Sequence, residues 1–246
     1  MMMHCLGSSS SGNCYILRSS THESLIIECG VKFQNIQRAI DWKPENVAGC
    51  IISHRHRDHC ASLKDMIKNG IQTYAHKDVF DSFNLRTRTF CNEIQHIQKV
   101  KIGKYNILPL NVMHDVPCFA FIITHPEMGN LFFVTDTMYV EYRINNLNHI
   151  MIEANYSDEI LQYNIDNGIE PRAMRDRLLN THMELKTTLK VLSETDLKDV
   201  NEVILLHLSH RNSDSEAFKA SVEQNIIPTV EIASSALKIN LNKEIY

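Results

Sequence analysis

The run His54-Arg55-His56-Arg57-Asp58-His59 places four metal-capable side chains within six residues. On extended backbone, residues two apart share a face, so His54 and His56 point the same way. A helix beginning near Asp58 turns Asp58 and His59 toward a second point close by. Such a cluster suits two adjacent divalent ions, each needing several nitrogen or oxygen ligands. Read as a merely solvated loop, it would crowd imidazoles that repel one another when protonated. Further ligands are available elsewhere: His114 and Asp115 follow the apolar run 107–113, Asp136 follows 131–135, and His207 follows 203–206. Each is a polar group at the carboxyl end of an apolar strand, where α/β active sites lie.

The elements that must hold these groups read as short strands with helices between them. Residues 48–53 form an apolar run too short for a helix and suited to a buried strand. Further strands are predicted at about 14–17, 24–28, 71–75, 94–101, 105–113, 117–124, 130–135, 148–153, 202–206 and 229–232. Helices are predicted at about 32–41 and 59–69, and helices dominate after 139. Gly103 and Gly129-Asn130 mark turns. The mixture points to a layered α/β domain with helices outside; the order of strand pairing does not follow from it.

Composition narrows the class. At 246 residues, 43% hydrophobic and 22% charged, the chain suits a soluble globular fold with a sizeable core. No apolar run approaches the roughly 18 residues of a membrane span, and the start lacks a basic segment followed by an apolar one, so a cytoplasmic protein without membrane partners is expected. A net charge of −4 argues against a histone-like global attraction to nucleic acid. Seven cysteines, an odd number with no CxxC pair, read as reduced packing thiols. Cys60 stands apart because it adjoins the histidine cluster and could be a chance neighbour or a redox-sensitive contact.

His54, His56, Asp58, His59, His114, Asp136 and His207 together resemble, in order, the metal motifs of the metallo-β-lactamase superfamily. The resemblance implies an αβ/βα sandwich: an α/β fold of two mixed sheets with helices on the outer faces, as one domain over 1–246. It also implies two divalent ions, Zn or Mn with Fe conceivable, the first held by His54, His56 and His114 and the second by Asp58, His59 and His207. Asp136 would bridge them. Within the superfamily, the loop 7–13, Glu153-Ala154-Asn155-Tyr156, Thr181-His182-Met183 and His207-Leu208-Ser209 with Asn212 are similar to segments of the WalJ/YycJ family of DNA exonucleases. The likeness spans about 3–235. The interval between Asp136 and His207 is too short for a β-CASP insert.

Three departures stand out. Glu28 replaces the usual Asp, which puts its orienting role in question; Thr181 replaces a usual Gly; Arg55 and Arg57 replace smaller or acidic residues.

The expected reaction is phosphodiester hydrolysis by a metal-activated water. Asp58 positions the nucleophile, and His182 serves as the acid, held by Glu153, since a neighbouring carboxylate favours the imidazolium. Ser10, Ser11, Asn13, His210 and Asn212 are candidate phosphate or substrate contacts, the serine loop because such nests cradle anions. Local basic groups (Arg86, Arg88, Lys99, Lys101 and Lys104; Arg172, Arg175 and Arg177; Arg55 and Arg57) could track a phosphate backbone or be solvated faces. The expected activity is a metal-dependent, exonuclease-like DNA nuclease. The alternatives are a phosphodiesterase of small or cyclic nucleotides, a tRNase Z-like ribonuclease, and a metal-bound nucleotide-binding protein without turnover.

Overall fold

The computed structural model describes residues 1–85 and 89–244. Its strands form two seven-stranded sheets among the described residues. The first contains β1 (Met2–Gly7), β2 (Cys14–Arg18), β3 (Ser24–Ile27), β4 (Val47–Ile51), β5 (Thr73–Ala75) and β6 (Cys91–Glu93), with β14 (Lys238–Asn240) on its edge beside β1. The second runs from β7 (Val100–Ile102) through β8 (Tyr105–Val112), β9 (Cys118–His125), β10 (Gly129–Val134), β11 (His149–Glu153) and β12 (Glu202–Leu206) to β13 (Thr229–Ile232). Each sheet begins as an antiparallel meander and continues with parallel strands, from β3 to β6 and from β10 to β13.

Alternation along the strands builds the layers. Tyr15, Leu17, Leu25, Ile27 and Ile51 from the first sheet meet Phe119, Phe121, Phe133 and Ile204 from the second in a central core. The intervening residues face outward. Cys14, Ile16, Ile26 and Cys50 pack under α1 (Phe33–Ala39), α2 (Arg57–Cys60), α3 (Leu63–Lys68) and α4 (Lys77–Ser82). Phe132, Val134, Val203 and Leu205 pack under α7 (Leu185–Glu194) and α8 (Ser215–Glu223). Two further helices, α5 (Asp158–Asp166) and α6 (Arg172–Thr181), share a smaller cluster around Tyr156, Leu161 and Leu178. This is the expected αβ/βα sandwich, and no helix among the described residues is long and apolar enough to cross a membrane.

Two readings need correction. Residues 94–101 are not one strand: Ile97 takes a left-handed φ of 60° and donates its N–H to Pro109, so this segment is the crossing from β6 to β7. The helix expected over 59–69 is two, α2 and α3. Ser62 breaks it by donating its N–H to Cys29 O (2.9 Å) and its hydroxyl to Val31 O (2.5 Å). His182 caps the carboxyl end of α6 in extended conformation, three residues before α7.

Candidate metal centre

The carboxyl ends of β3, β4, β8, β10, β11 and β12 meet at one edge of the sandwich. Just beyond them the chain turns back through residues with positive φ: Glu28 at 63°, Asp136 at 51° and His207 at 54°. Non-glycine residues enter this region at a cost of about 1–3 kcal/mol each, a strain that clusters at functional sites. Here it turns three polar side chains into the space between the sheets.

His54 Nε2 lies 3.0 Å from His56 Nδ1, which lies 3.2 Å from His114 Nε2. Nitrogens bound about 2.0–2.1 Å from one ion sit a little over 3 Å apart, so the spacing is that of a shared coordination sphere. The outer ring nitrogens fix the tautomers. His114 Nδ1 donates to the Thr181 carbonyl at 3.1 Å, and His54 Nδ1 meets Ser53 Oγ at 2.9 Å. This leaves His114 Nε2 with a lone pair aimed inward, as ligand histidines require. Burial lowers His54 strongly, reinforced by His59, and lowers His114 to about 4, so both rings are neutral at neutral pH. Neutral imidazole is the metal-binding form.

A second convergence lies alongside. Asp58 Oδ2 is 3.3 Å from both His59 Nε2 and His207 Nε2, and Asp136 Oδ1 is 3.3 Å from His59 Nε2. Asp136 Oδ2 turns toward the first group, 3.9 Å from His54 Nε2, so its two oxygens face the two clusters. Burial opposes charge on Asp136, but His207, His59 and His54 outweigh it and hold the carboxyl well below its ordinary range. Four donor atoms in each cluster lie within 4.8 Å of one another. The donor set, imidazole nitrogens with anionic carboxylates, fits divalent ions.

Supports outside the clusters were only partly visible in the sequence. Glu28, fully buried, accepts the Ser53 N–H at 3.1 Å and lies 3.6 Å from His59 Nδ1, so the longer side chain faces the ring without a hydrogen bond to it. Gly30 seats Asp58: a Cβ there would stand 1.7 Å from the Asp58 carbonyl oxygen. Ser8 Oγ accepts the His207 N–H at 2.9 Å. Gly30 and Ser8 lie far in sequence from the residues they support, so no spacing could reveal them. Cys60 is buried, and its thiol donates to the Arg55 and His56 carbonyls at 3.2 and 3.1 Å. Burial raises its pKa far above the usual thiol range, so it braces the histidine loop as a thiol.

His182 and Glu153 form a pair at the edge of the clusters. Glu153, fully buried, accepts from His182 Nδ1 through Oε1 at 2.7 Å and from the Thr137 and Met183 N–H groups through Oε2. Burial disfavours the imidazolium, but Glu153, with Asp136 at 3.8 Å, outweighs it and pushes His182 up to about 9. His182 Nε2 is the nitrogen left for a substrate.

A cavity of about 360 Å³ opens on the clusters, lined by Ser10, Arg57, Asp58, Asp136, Arg177 and His182 among others. Ser10 therefore faces the site, whereas Ser11 lines a different hollow. Asn13 is buried, and its amide donates to the Ser9 and Asp58 carbonyls and meets His59 Nε2 at 3.2 Å; it holds the ligand loop and is closed to substrate. His210 and buried Asn212 line a neighbouring cavity. Arg55 is engaged by Asp78 and Arg175 by Asp158, while Lys99, Lys101 and Lys104 lie on or beside β7, away from the cavity. Arg86 and Arg88 lie outside the described residues.

Residues 24–208 match the family model described as the beta-lactamase superfamily domain. The chain is 25% identical over 229 residues to an exodeoxyribonuclease WalJ of Streptococcus pneumoniae, covering 86% of this chain and 82% of that one. Among solved structures, it is similar to the metallo-β-lactamase-fold protein YhfI of Bacillus subtilis, with a TM-score of 0.76 and 20% identity over 97% of this chain and 98% of that one. A diphosphatase of the PhnP family superposes with a TM-score of 0.69 at 14% identity, covering 97% of both chains.

Proposed function

The chain belongs to the beta-lactamase superfamily, a family of metallo-β-lactamase-fold hydrolases, and on that premise we propose that it is a metal-dependent phosphodiester hydrolase acting on DNA, from a strand end. The observation that carries the reading is the His182–Glu153 pair beside Asp136, a proton donor set next to two donor clusters. The likeness to an exodeoxyribonuclease along most of the chain favours DNA.

In this reading His54, His56 and His114 hold one ion, Asp58, His59 and His207 a second, and Asp136 both. When bound, divalent ions at such a pair activate a water and neutralise charge on a phosphate; whether Zn or Mn fills the site follows availability. Asp58 fixes the line of attack through Oδ2, and Arg57 and Arg177 at the cavity mouth attract the phosphate backbone. His182 Nε2 gives its proton to the departing sugar oxygen, and Glu153 keeps the ring charged and oriented until it does.

The test is purified protein loaded with Mn²⁺ or Zn²⁺ and offered end-labelled linear DNA, RNA and bis-p-nitrophenyl phosphate. Shortening of DNA from its ends is expected. Turnover of only the small ester would assign a small-nucleotide phosphodiesterase instead, RNA preference a ribonuclease, and metal binding without any hydrolysis a nucleotide-binding protein. His56→Ala should abolish both activity and loading of the metal beside His54 and His114, read by metal analysis of the purified variant.

A further inference from the structure

A second cavity, about 260 Å³, adjoins the first and shares Ser10, Arg177, His182 and His207 with it. The rings of His182 and His207, stacked with centroids 5.3 Å apart and 13° between planes, stand between the two. Met174, Leu178 and Leu208 give the second cavity an apolar wall, while Asn155 and Glu170 add polar groups. Asn155 is buried. Its Nδ2 donates to the His207 carbonyl at 2.7 Å and meets His207 Nδ1 at 3.0 Å, and its Oδ1 has no hydrogen-bond partner among the described residues. A buried acceptor without a donor is unfavourable unless something supplies one. Glu170, also buried, is ion-paired with the exposed Arg211 at 3.7 Å, a contact too long for a hydrogen bond, so its carboxylate can still accept one. The cavity is anchored: Asn164 Nδ2 donates to the Arg211 carbonyl at 2.8 Å and to Asn212 Oδ1 at 3.0 Å, holding the loop after β12 against α5.

Apolar contact surface, two buried acceptors and a shared mouth carrying Arg177 suit a flat heterocycle bearing N–H donors, attached to a phosphate. Resting on the phosphodiesterase reading above, we propose that this cavity binds the base of the nucleotide flanking the scissile phosphate. Asn155 Oδ1 and Glu170 accept from the ring N–H and the amino group of guanine, or from the amino group alone of adenine or cytosine. Thymine offers them a single N–H between two carbonyls and binds less well. The volume lies just below the roughly 300–1,000 Å³ of typical ligand clefts and suits a single base.

Calorimetric titration of the Mn²⁺-loaded protein with dGMP, dTMP and deoxyribose 5-phosphate reads the cavity directly. The expected order is dGMP tightest, about tenfold or more over the base-free sugar phosphate, with dTMP between. Glu170→Gln should bring dGMP close to dTMP, and Met174→Ala should weaken both nucleotides. Unchanged binding of deoxyribose 5-phosphate in each variant shows that it is folded. Equal binding of all three ligands by the unmodified protein, or a base-dependent gain that survives both substitutions, would overturn the proposal. Hydrolysis of bis-p-nitrophenyl phosphate by the same preparation reports separately: base-selective binding without any hydrolysis sinks the enzymatic reading and leaves the pocket standing.

Discussion

At the scale of single residues, the site separates groups that hold charge from groups that move it. His182 belongs to the second kind, because its Nδ1 is committed to Glu153 and its Nε2 is free to give a proton. If it protonates the leaving oxygen, its value depends on how much the leaving group needs the proton. His182→Ala should slow DNA cleavage by about 10²–10⁴-fold. Hydrolysis of bis-p-nitrophenyl phosphate should fall far less, since nitrophenolate departs unprotonated. Equal losses on both substrates would return His182 to a structural part. Glu28 acts through another residue. Glu28→Gln keeps an acceptor for the Ser53 N–H but removes the carboxylate beside His59 Nδ1. Metal affinity, measured by titration with a competing chelator, should drop about 10–100-fold; an unchanged affinity would show that His59 needs no anionic neighbour. The residues that converge were legible because each follows an apolar strand and four sit within one short motif. Gly30 was not, because its role exists only once Asp58 packs upon it.

At the scale of elements, the strands that carry the donors were legible from period and length, and their short partners were not. β14 is three residues, Lys238-Ile239-Asn240, with no apolar pattern; it is a strand because β1 offers an open edge. The pairing order was equally hidden, since parallel neighbours such as β11 and β12 are joined through three helices. Opposite the site, the two sheets are tied by turns. Glu127, between β9 and β10, accepts the Ser20 N–H at 3.0 Å and its hydroxyl at 2.7 Å from the turn between β2 and β3. Burial opposes this carboxylate's charge, but the Ser20 bonds and the Met1 ammonium at 3.1 Å outweigh it and push the pKa down to about 2, from an ordinary 4.5. A depressed carboxyl stabilises the fold above its unfolded value, and the contribution is lost as pH falls from about 4.5 toward 2. Glu127→Gln should cost about 1 kcal/mol at neutral pH after allowance for solvent screening. In denaturant unfolding, the gap to the unmodified protein should narrow steadily below about pH 4.5. A gap that is the same at pH 7 and at pH 3 would mean that the charge plays no part.

At the scale of the whole molecule, the metal centre is a seam. His54, His56, Asp58 and His59 follow β4 of the first sheet, whereas His114, Asp136 and His207 follow β8, β10 and β12 of the second. Each donor cluster draws on both sheets, and Asp136 faces both clusters. Bound ions would therefore join the halves of the sandwich at one edge, as Glu127 and Ser20 do at the other. A ligand that binds only the folded state stabilises it by about 2.7 kcal/mol at a hundred times its dissociation constant. For a chain of this length, each kcal/mol moves Tm by about 2–4 °C, so removing the metal should lower Tm by about 5–10 °C. The measurement is scanning calorimetry of the metal-loaded protein, the chelator-treated protein, and the treated protein with Mn²⁺ or Zn²⁺ restored. Recovery of Tm on restoring metal, together with a weaker response in His56→Ala, is the expected result. A Tm that ignores metal while metal analysis still finds ions bound would mean that the two halves close equally well without them, and that the strained turns at Glu28, Asp136 and His207 hold the site open on their own.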